Sequence, residues 1–156
     1  MLKQYGLMLF AWGFFASSVA CSRAGLAENV VVSTESGDLK FRVETVATGL
    51  EVPWAFAWLP NGDMLVTERP GRVRLIEKGK LRTEPVFTVP DVEPSGESGL
   101  MDISLHPEFA KNNFVYLAYA YARDGKRDKV VRYRFVANKL TEPKIIIEDM
   151  PSAPNH

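Results

Sequence analysis

Residues 54–76 read WAFAWLPNGDMLVTERPGRVRLI, and this stretch decides the fold class. Its dominant period is two, whereas an amphipathic helix would repeat every 3.6 residues. Pro60-Asn61-Gly62 and Pro70-Gly71 interrupt the stretch, and Asn and Gly tolerate the positive φ angles that tight hairpins need. Three short antiparallel strands are therefore predicted, at Trp54–Leu59, Asp63–Arg69 and Arg72–Ile76.

The same order of runs and turns occurs twice. A fourth run, Pro85–Val89, completes the first set, and the second set comprises Leu100–Leu105, Phe114–Tyr121, Val130–Val136 and Lys144–Ile147. Corresponding runs lie about 50 to 60 residues apart, near the ~40 to 50 residue period of propeller blades. An all-β chain with two successive four-stranded antiparallel blades is predicted, and a β-sandwich is the alternative. The preceding strand, Phe41–Val46, is interpreted as an outer strand that closes the ring against the last blade.

The N-terminus has the pattern of an export signal. Lys3 is followed by an uncharged apolar run, Leu7–Ala20, which is shorter than the ~20 residues of a membrane-spanning helix. Cleavage is expected after Ala20 or after Ala27, and in the first case Cys21 would accept lipid. We therefore predict a signal peptide over residues 1–27 and a domain over residues 28–156. The mature protein is expected to be periplasmic or secreted, or anchored as a lipoprotein.

Composition excludes several classes of protein. The 156 residues include 19 Lys+Arg and 19 Asp+Glu, so the formal net charge of +0 provides no basic surface for nucleic acid. The single cysteine, Cys21, permits neither an internal disulfide nor a cysteine-based zinc site. Core packing or a ligand must therefore stabilise the fold.

If the chain consists of blades, the loops that precede each innermost strand gather at one mouth of the central channel. These loops are Thr48–Pro53, Pro90–Gly99 and Met150–His156. His156 is the most useful general base among their side chains because imidazole titrates near neutral pH. A solvated end residue is the alternative for His156. The other candidates in these loops are Glu51, Asp91, Glu93, Glu97, Ser98 and Asn155.

Three further features have simple structural interpretations. His106 falls at the opposite end of the predicted blade, where a turn histidine that bonds the backbone is favoured. The acids Asp91, Glu93 and Glu97 either solvate an exposed connection or bind a hard cation such as calcium. The charged run Lys126–Lys129 is predicted to be a solvated hairpin tip.

Specific motifs resemble one enzyme family. The string VPWAFAWLPNG at residues 52–62, followed by LVTERPGR at 65–72, is similar to the opening of the soluble glucose/sorbosone dehydrogenases. GESGLM at 96–101 with LHPEF at 105–109 resembles the second signature of that family. Asn155-His156 resembles the start of a third signature, which in the family continues into Gly-Gly-Arg. The resemblance covers nearly all of the chain from Phe41 onward.

The resemblance implies an exported six-bladed propeller that uses pyrroloquinoline quinone (PQQ) and calcium to oxidise the C1 hydroxyl of aldose sugars to lactones. It implies that His156 takes the C1 hydroxyl proton while hydride passes to the quinone, and that an external acceptor removes the electrons. Asn155 would lie beside this base, and Glu97 would lie at the cofactor and sugar. It assigns no metal ligand within this chain, whose two blades would be the N-terminal part of a longer, closed propeller.

Two other classes remain open on sequence grounds, because a fold does not assign chemistry. One is a propeller that binds carbohydrate or protein without catalysis. The other is a calcium-dependent lactonase of related shape, which would need acidic metal ligands on the channel-facing loops and no quinone.

Overall fold

The computed structural model describes residues 30–33 and 40–152. The expected signal peptide over residues 1–27 with its Cys21, and the pair Asn155-His156, lie outside the described residues. Those assignments therefore stay predictions. The chain divides between Glu44 and Thr45 into a short N-terminal unit and a larger unit.

The N-terminal unit contains a two-stranded antiparallel hairpin. Its strands are β1 (Val30–Ser33) and β2 (Lys40–Val43), with Val30 opposite Val43. β2 overlaps the predicted strand Phe41–Val46 but ends earlier, since no strand conformation continues from Glu44. The role of this strand in closing a ring stays a prediction.

The larger unit begins with an antiparallel sheet in which successive strands are neighbours. Leu59 and Gly62 form the predicted turn, because the N–H of Gly62, at φ 86°, donates to the carbonyl of Leu59 at 2.9 Å. The strands are β3 (Pro53–Trp58), β4 (Met64–Glu68), β5 (Arg72–Glu77) and β6 (Lys80–Leu81), with β7 (Phe87–Thr88) also paired to β5.

The outer edge of this first sheet is less regular than predicted. The strand expected over Pro85–Val89 contributes only the two residues of β7, and β6 covers the other end of β5. Pro85 has no N–H to donate to a ladder. Arg74 holds the segment between β6 and β7 instead, since its Nη2 donates to the carbonyls of Arg82 and Thr83 at 2.8 and 3.2 Å.

The second sheet confirms the four remaining predicted strands. Between its first two strands, α1 (Phe109–Asn112) makes a single turn and ends at Asn113, which has a φ of 56°. No helix in the described ranges is long and apolar enough to cross a membrane. The strands are β8 (Leu100–Leu105), β9 (Phe114–Ala122), β10 (Lys126–Val136) and β11 (Lys139–Pro151), in spatial order β11-β10-β9-β8.

The prediction that Lys126–Lys129 is a solvated hairpin tip is wrong. These residues begin β10, and the tip is Arg123–Gly125. Lys129 is buried because its ammonium pairs with Asp91 and lies 4.2 Å from the centroid of the Tyr121 ring. The charge of Lys129 alone would favour an exposed position. Its partner Asp91, which makes the burial possible, lies 38 residues away in the sequence.

The two sheets pack face to face around one hydrophobic core. Thr67 also crosses the interface, because its hydroxyl lies 3.1 Å from the carbonyl oxygen of Met101 while it accepts the N–H of Ala55. Each sheet is a simple meander, whereas an immunoglobulin-type sandwich uses Greek-key connections, so the topology favours successive propeller blades. The fully buried side chains of the core include Leu65, Val73 and Leu75 from the first sheet and Leu100, Val115 and Leu117 from the second.

Candidate functional site

The loops that precede β3 and β8 meet at one edge of the two sheets, as predicted. Arg69, directly after β4, joins them: its N–H donates to the carbonyl of Val52 and its carbonyl accepts the N–H of Leu100, both at 3.0 Å. The end of β11 reaches the same edge of the second sheet, with Pro151 opposite Arg127. We call this edge, formed by residues 48–53, 68–72, 90–99, 122–127 and 150–152, the mouth edge.

The segment that carries Glu97 is a tight turn on the mouth edge. Ser95 and Ser98 exchange backbone hydrogen bonds at 3.1 Å, and the buried hydroxyl of Ser98 donates to the carbonyl of Ser95 at 2.9 Å. Arg69 Nη1 donates to the carbonyl of Gly96. Glu97 is an exposed residue at the tip of this turn, and the hydrogen bonds of its neighbours hold the surrounding backbone.

A buried carboxylate at the end of β4 organises the same edge, although sequence reasoning missed it. Glu68 is fully buried and accepts hydrogen bonds from the N–H of Glu51 and from Arg72 Nε, both at 2.6 Å, and from Arg74 Nη1 at 3.2 Å. Arg72 also pairs with the Glu51 carboxylate at 2.5 Å. The only sequence signal was an acid at the end of an apolar strand, opposite arginines in the next.

The charge of Glu68 follows from these contacts. Burial raises the pKa of a carboxyl, but the hydrogen bond from Glu51 and the guanidinium groups of Arg72 and Arg74 together hold the pKa of Glu68 below its ordinary value of 4.5. Glu68 is therefore ionised at neutral pH. The candidate Glu51 is part of this ion-pair cluster, which gives it a structural role.

The acids of the loop before β8 do not gather into a metal site. Asp91 binds Lys129, and the backbone N–H of Glu93 donates to the carbonyl of Ala120 at 2.8 Å. Within residues 30–33 and 40–152, no group of three or more His, Cys, Asp and Glu side chains is arranged to hold a metal ion. The calcium interpretation of Asp91, Glu93 and Glu97 therefore has no support from their geometry.

A pair of tyrosines, Tyr119 and Tyr133, lies beside Asp91 at the base of that loop. Burial and the hydrogen bond with Tyr133 raise the pKa of Tyr119 far above its ordinary range, and burial also raises the pKa of Tyr133. Both phenols stay neutral at any physiological pH. Their place next to the Lys129–Asp91 pair was not visible in the sequence, because it depends on the register between β9 and β10.

His106 lies at the opposite end of the second sheet, as predicted. Its Nδ1 accepts the backbone N–H of Glu108 at 3.0 Å, and its ring stacks on Tyr116 with centroids 6.2 Å apart. The predicted role of a turn histidine that bonds the backbone is confirmed.

A pocket of about 440 Å³ opens on the mouth edge, between the loop before β8 and the β9–β10 hairpin. Lys126 Nζ donates to the carbonyl of Ser95 at 3.2 Å, and Arg123 pairs with Asp149 at 3.0 Å. Its walls thus carry charged side chains of both signs and offer hydrogen bonds to a polar ligand. The lining residues are Glu93, Ser95, Ala122, Arg123, Asp124, Gly125 and Lys126.

Two successive meandering sheets whose loops gather at one edge are the arrangement of neighbouring β-propeller blades. The protein therefore belongs to the β-propeller fold class. The family model for glucose/sorbosone dehydrogenases matches residues 50–156. The chain belongs to the glucose/sorbosone dehydrogenase family.

Several proteins to which the chain is similar are named as sugar dehydrogenases. The chain is 37% identical over 121 residues to the aldose sugar dehydrogenase of Escherichia coli, covering 73% of this chain and 33% of that one. It is 28% identical to quinoprotein glucose dehydrogenase B of Acinetobacter calcoaceticus, covering 74% and 27%. The solved PQQ-bound aldose sugar dehydrogenase of Streptomyces coelicolor superposes with a TM-score of 0.66 at 30% identity, covering 84% and 37%. The chain thus spans about a third of the length of these relatives.

PQQ is a quinone with three carboxylates. Such an anion requires cations that are not already neutralised. On the mouth edge Arg72 is paired with Glu51 and Glu68, and Arg123 is paired with acids of β11. Arg69 and Lys126 donate to backbone carbonyls, which leaves their positive charges uncompensated by these contacts. Arg69 and Lys126 could therefore contact an anionic cofactor from the mouth edge, but these two cations do not by themselves form a clamp for three carboxylates.

Proposed function

We propose that this chain is the N-terminal part of an exported, PQQ-dependent aldose dehydrogenase that oxidises the C1 hydroxyl of sugars to lactones. The observation that supports it is the family match over residues 50–156, together with the resemblance of the two sheets to a PQQ-bound aldose sugar dehydrogenase. The remaining blades, calcium, most ligands of the cofactor and an external electron acceptor would come from outside this chain.

In this proposal three residues of the chain act at the sugar. His156 accepts the C1 hydroxyl proton, Asn155 lies beside it, and Glu97 orients the sugar and cofactor from the tip of its turn. Bound PQQ would supply the electron acceptor that amino-acid side chains lack. The backbone around Glu97 is held by hydrogen bonds, which suits a role in orientation, because a fixed hydrogen-bonding group limits the poses of a substrate.

The test compares two histidines of the complete protein, reconstituted with PQQ and calcium, in dye-linked oxidation of glucose. His156→Gln removes the proton acceptor at similar size and should lower kcat by roughly 100-fold or more. His106→Gln is the matched control at the opposite end of the sheet and should leave kcat near that of the unmodified protein. Glu97→Gln should be far milder than His156→Gln, because an amide can still orient the sugar.

Three outcomes would count against the proposal. A folded protein with no quinone-dependent oxidation would favour a binding propeller. Calcium-dependent lactone hydrolysis without quinone would favour a lactonase. If His156→Gln raised KM and left kcat unchanged, His156 would hold the sugar and another group would be the base.

Export is proposed separately, from Lys3 and the apolar run Leu7–Ala20. Mass spectrometry of the exported protein should find an N-terminus at Cys21, with added lipid mass, or at Glu28. A mature protein that retains Met1 would contradict the proposal.

A further inference from the structure

Arg69 contacts both mouth loops at once. Its backbone N–H binds the carbonyl of Val52 in the first loop, and its backbone carbonyl binds the N–H of Leu100 at the end of the second. Its guanidinium also donates to the carbonyl of Gly96. Arg69 therefore holds the second loop on both sides of Glu97, by its side chain before this residue and by its backbone after it.

The close approach of Gly99 shows how tightly this segment lies against Arg69. A Cβ atom at Gly99 would stand 2.4 Å from the carbonyl oxygen of Arg69 and 2.9 Å from its Cγ, and the φ of Gly99 is 151°. Only glycine fits this position without a shift of the backbone. The Ser95–Ser98 bridge closes the turn internally, so Arg69 is the contact that fixes the turn to the first sheet.

We propose that Arg69 is a positioning residue for Glu97, acting through the Gly96–Leu100 backbone. The inference rests on the proposed function, in which Glu97 orients the sugar. A displacement of about 1 Å at such a group can cost up to about 100-fold in rate. Arg69 is thus expected to influence catalysis through the backbone around Glu97, by donating a hydrogen bond to the Gly96 carbonyl.

The first measurement is hydrogen exchange of the amides of residues 96–100 in the complete protein. Arg69→Met keeps the aliphatic stem but removes the donor to Gly96, and it should increase exchange in this segment. Arg69→Lys retains a donor and should restore most of the protection. Arg134→Met is the matched control, because Arg134 Nη1 likewise donates to a backbone carbonyl, that of Asn112 at the end of α1, on the opposite side of the sheet from the mouth edge.

The second measurement is a double-mutant cycle with Glu97→Ala in steady-state glucose oxidation. Arg69→Met should lower kcat/KM by about tenfold or more. The rise in KM and the fall in kcat should contribute to this loss in the same proportion as they do in Glu97→Ala. The kcat/KM of the double variant should lie no more than about twofold below that of the poorer single variant, since both changes remove the orientation of the sugar by Glu97. Arg69→Lys should recover most of the loss.

Three results would overturn the inference. The first is unchanged exchange in Arg69→Met, which shows that the turn is held by other contacts. The second is full additivity with Glu97→Ala in an active enzyme, which assigns Arg69 an effect of its own. The third is an active enzyme in which Glu97→Ala is silent while Arg69→Met is impaired. An enzyme that lacks quinone-dependent oxidation altogether refutes the proposed function instead, and the exchange data then still report whether Arg69 holds the turn.

Discussion

The two faces of the first sheet are built from the same strands but in opposite ways. On β3, Ala55 and Ala57 face the second sheet and pack against the shared core, whereas Phe56 and Trp58 face away and are 60% and 57% exposed. Small residues on the inner side let β8 approach closely. The large aromatic rings on the other side have no comparable covering layer among the described residues.

That outward face is nevertheless lined by apolar side chains, as the interior of a protein is. A groove of about 390 Å³ runs along it, with walls that include Phe56, Trp58, Met64, Val66 and Ile76. Met64, Val66 and Ile76 are buried, and the exposed apolar side chains of the groove include Phe56 and Trp58. Exposed apolar surface of this kind marks an interaction site in soluble proteins. The contrast indicates that one inter-sheet interface is complete within this chain and that a second needs another layer, as a propeller of more blades would provide.

The largest expected effect is at the complete interface. Leu65→Ala removes a fully buried side chain between the sheets and should lower the free energy of unfolding by ~2–5 kcal/mol. Phe56→Ala, on the other face of the same sheet, should cost far less despite the larger side chain. Urea unfolding of residues 28–156 measures both, and equal losses would contradict the contrast between the faces.

A smaller effect is expected at the buried charge of the mouth edge. Glu68→Gln keeps the size of the side chain but leaves Arg72 and Arg74 without their shared carboxylate, and it should cost about 2–3 kcal/mol at neutral pH. Urea unfolding at pH 7 measures this loss. Arg134→Met, which breaks an exposed pair with Glu142 at 2.9 Å, is the control and should cost much less.

The pH dependence follows from the lowered pKa of Glu68. Its contribution to stability is complete above the ordinary pKa of 4.5 and is lost as the pH falls through the lower pKa of the folded state. The unmodified chain should therefore lose more stability on acidification than Glu68→Gln. If the free energies of unfolding of the two proteins fell in parallel with pH, Glu68 would not be the source of this pH dependence.

These residues also show what the sequence could reveal. The spacing of the apolar residues and the residues of the turns predict β8 at Leu100–Leu105, because strand and hairpin signals come from residues that are neighbours in the sequence. The burial of Glu68 and Lys129 depends on partners brought together by strand register and by a loop, so their local sequence suggests solvated charges. The same holds for Arg69, whose contact with Gly96 spans 27 positions. His156 and Asn155 rest on their place in a predicted mouth loop and on the family resemblance, since both lie outside the described residues.

The smallest effect on stability is expected at the outward face. The double change Phe56→Ser and Trp58→Ser should alter the free energy of unfolding of residues 28–156 by about 0.5 kcal/mol or less, since both side chains are mainly exposed. It should, however, reduce self-association, because it removes apolar surface. Analytical ultracentrifugation measures this, and unchanged self-association would mean that another surface, such as the edge of β11, is responsible.

Binding of PQQ to the complete protein and to residues 28–156 alone, both with calcium, tests the account most directly. Arg72 and Arg123 are already paired with acids, and in the proposed function most ligands of the cofactor come from outside this chain, so the two sheets alone should not bind the cofactor tightly. The complete protein should bind about one PQQ per chain and then oxidise glucose. Equally tight binding by residues 28–156, or a folded complete protein that binds none, would contradict the account.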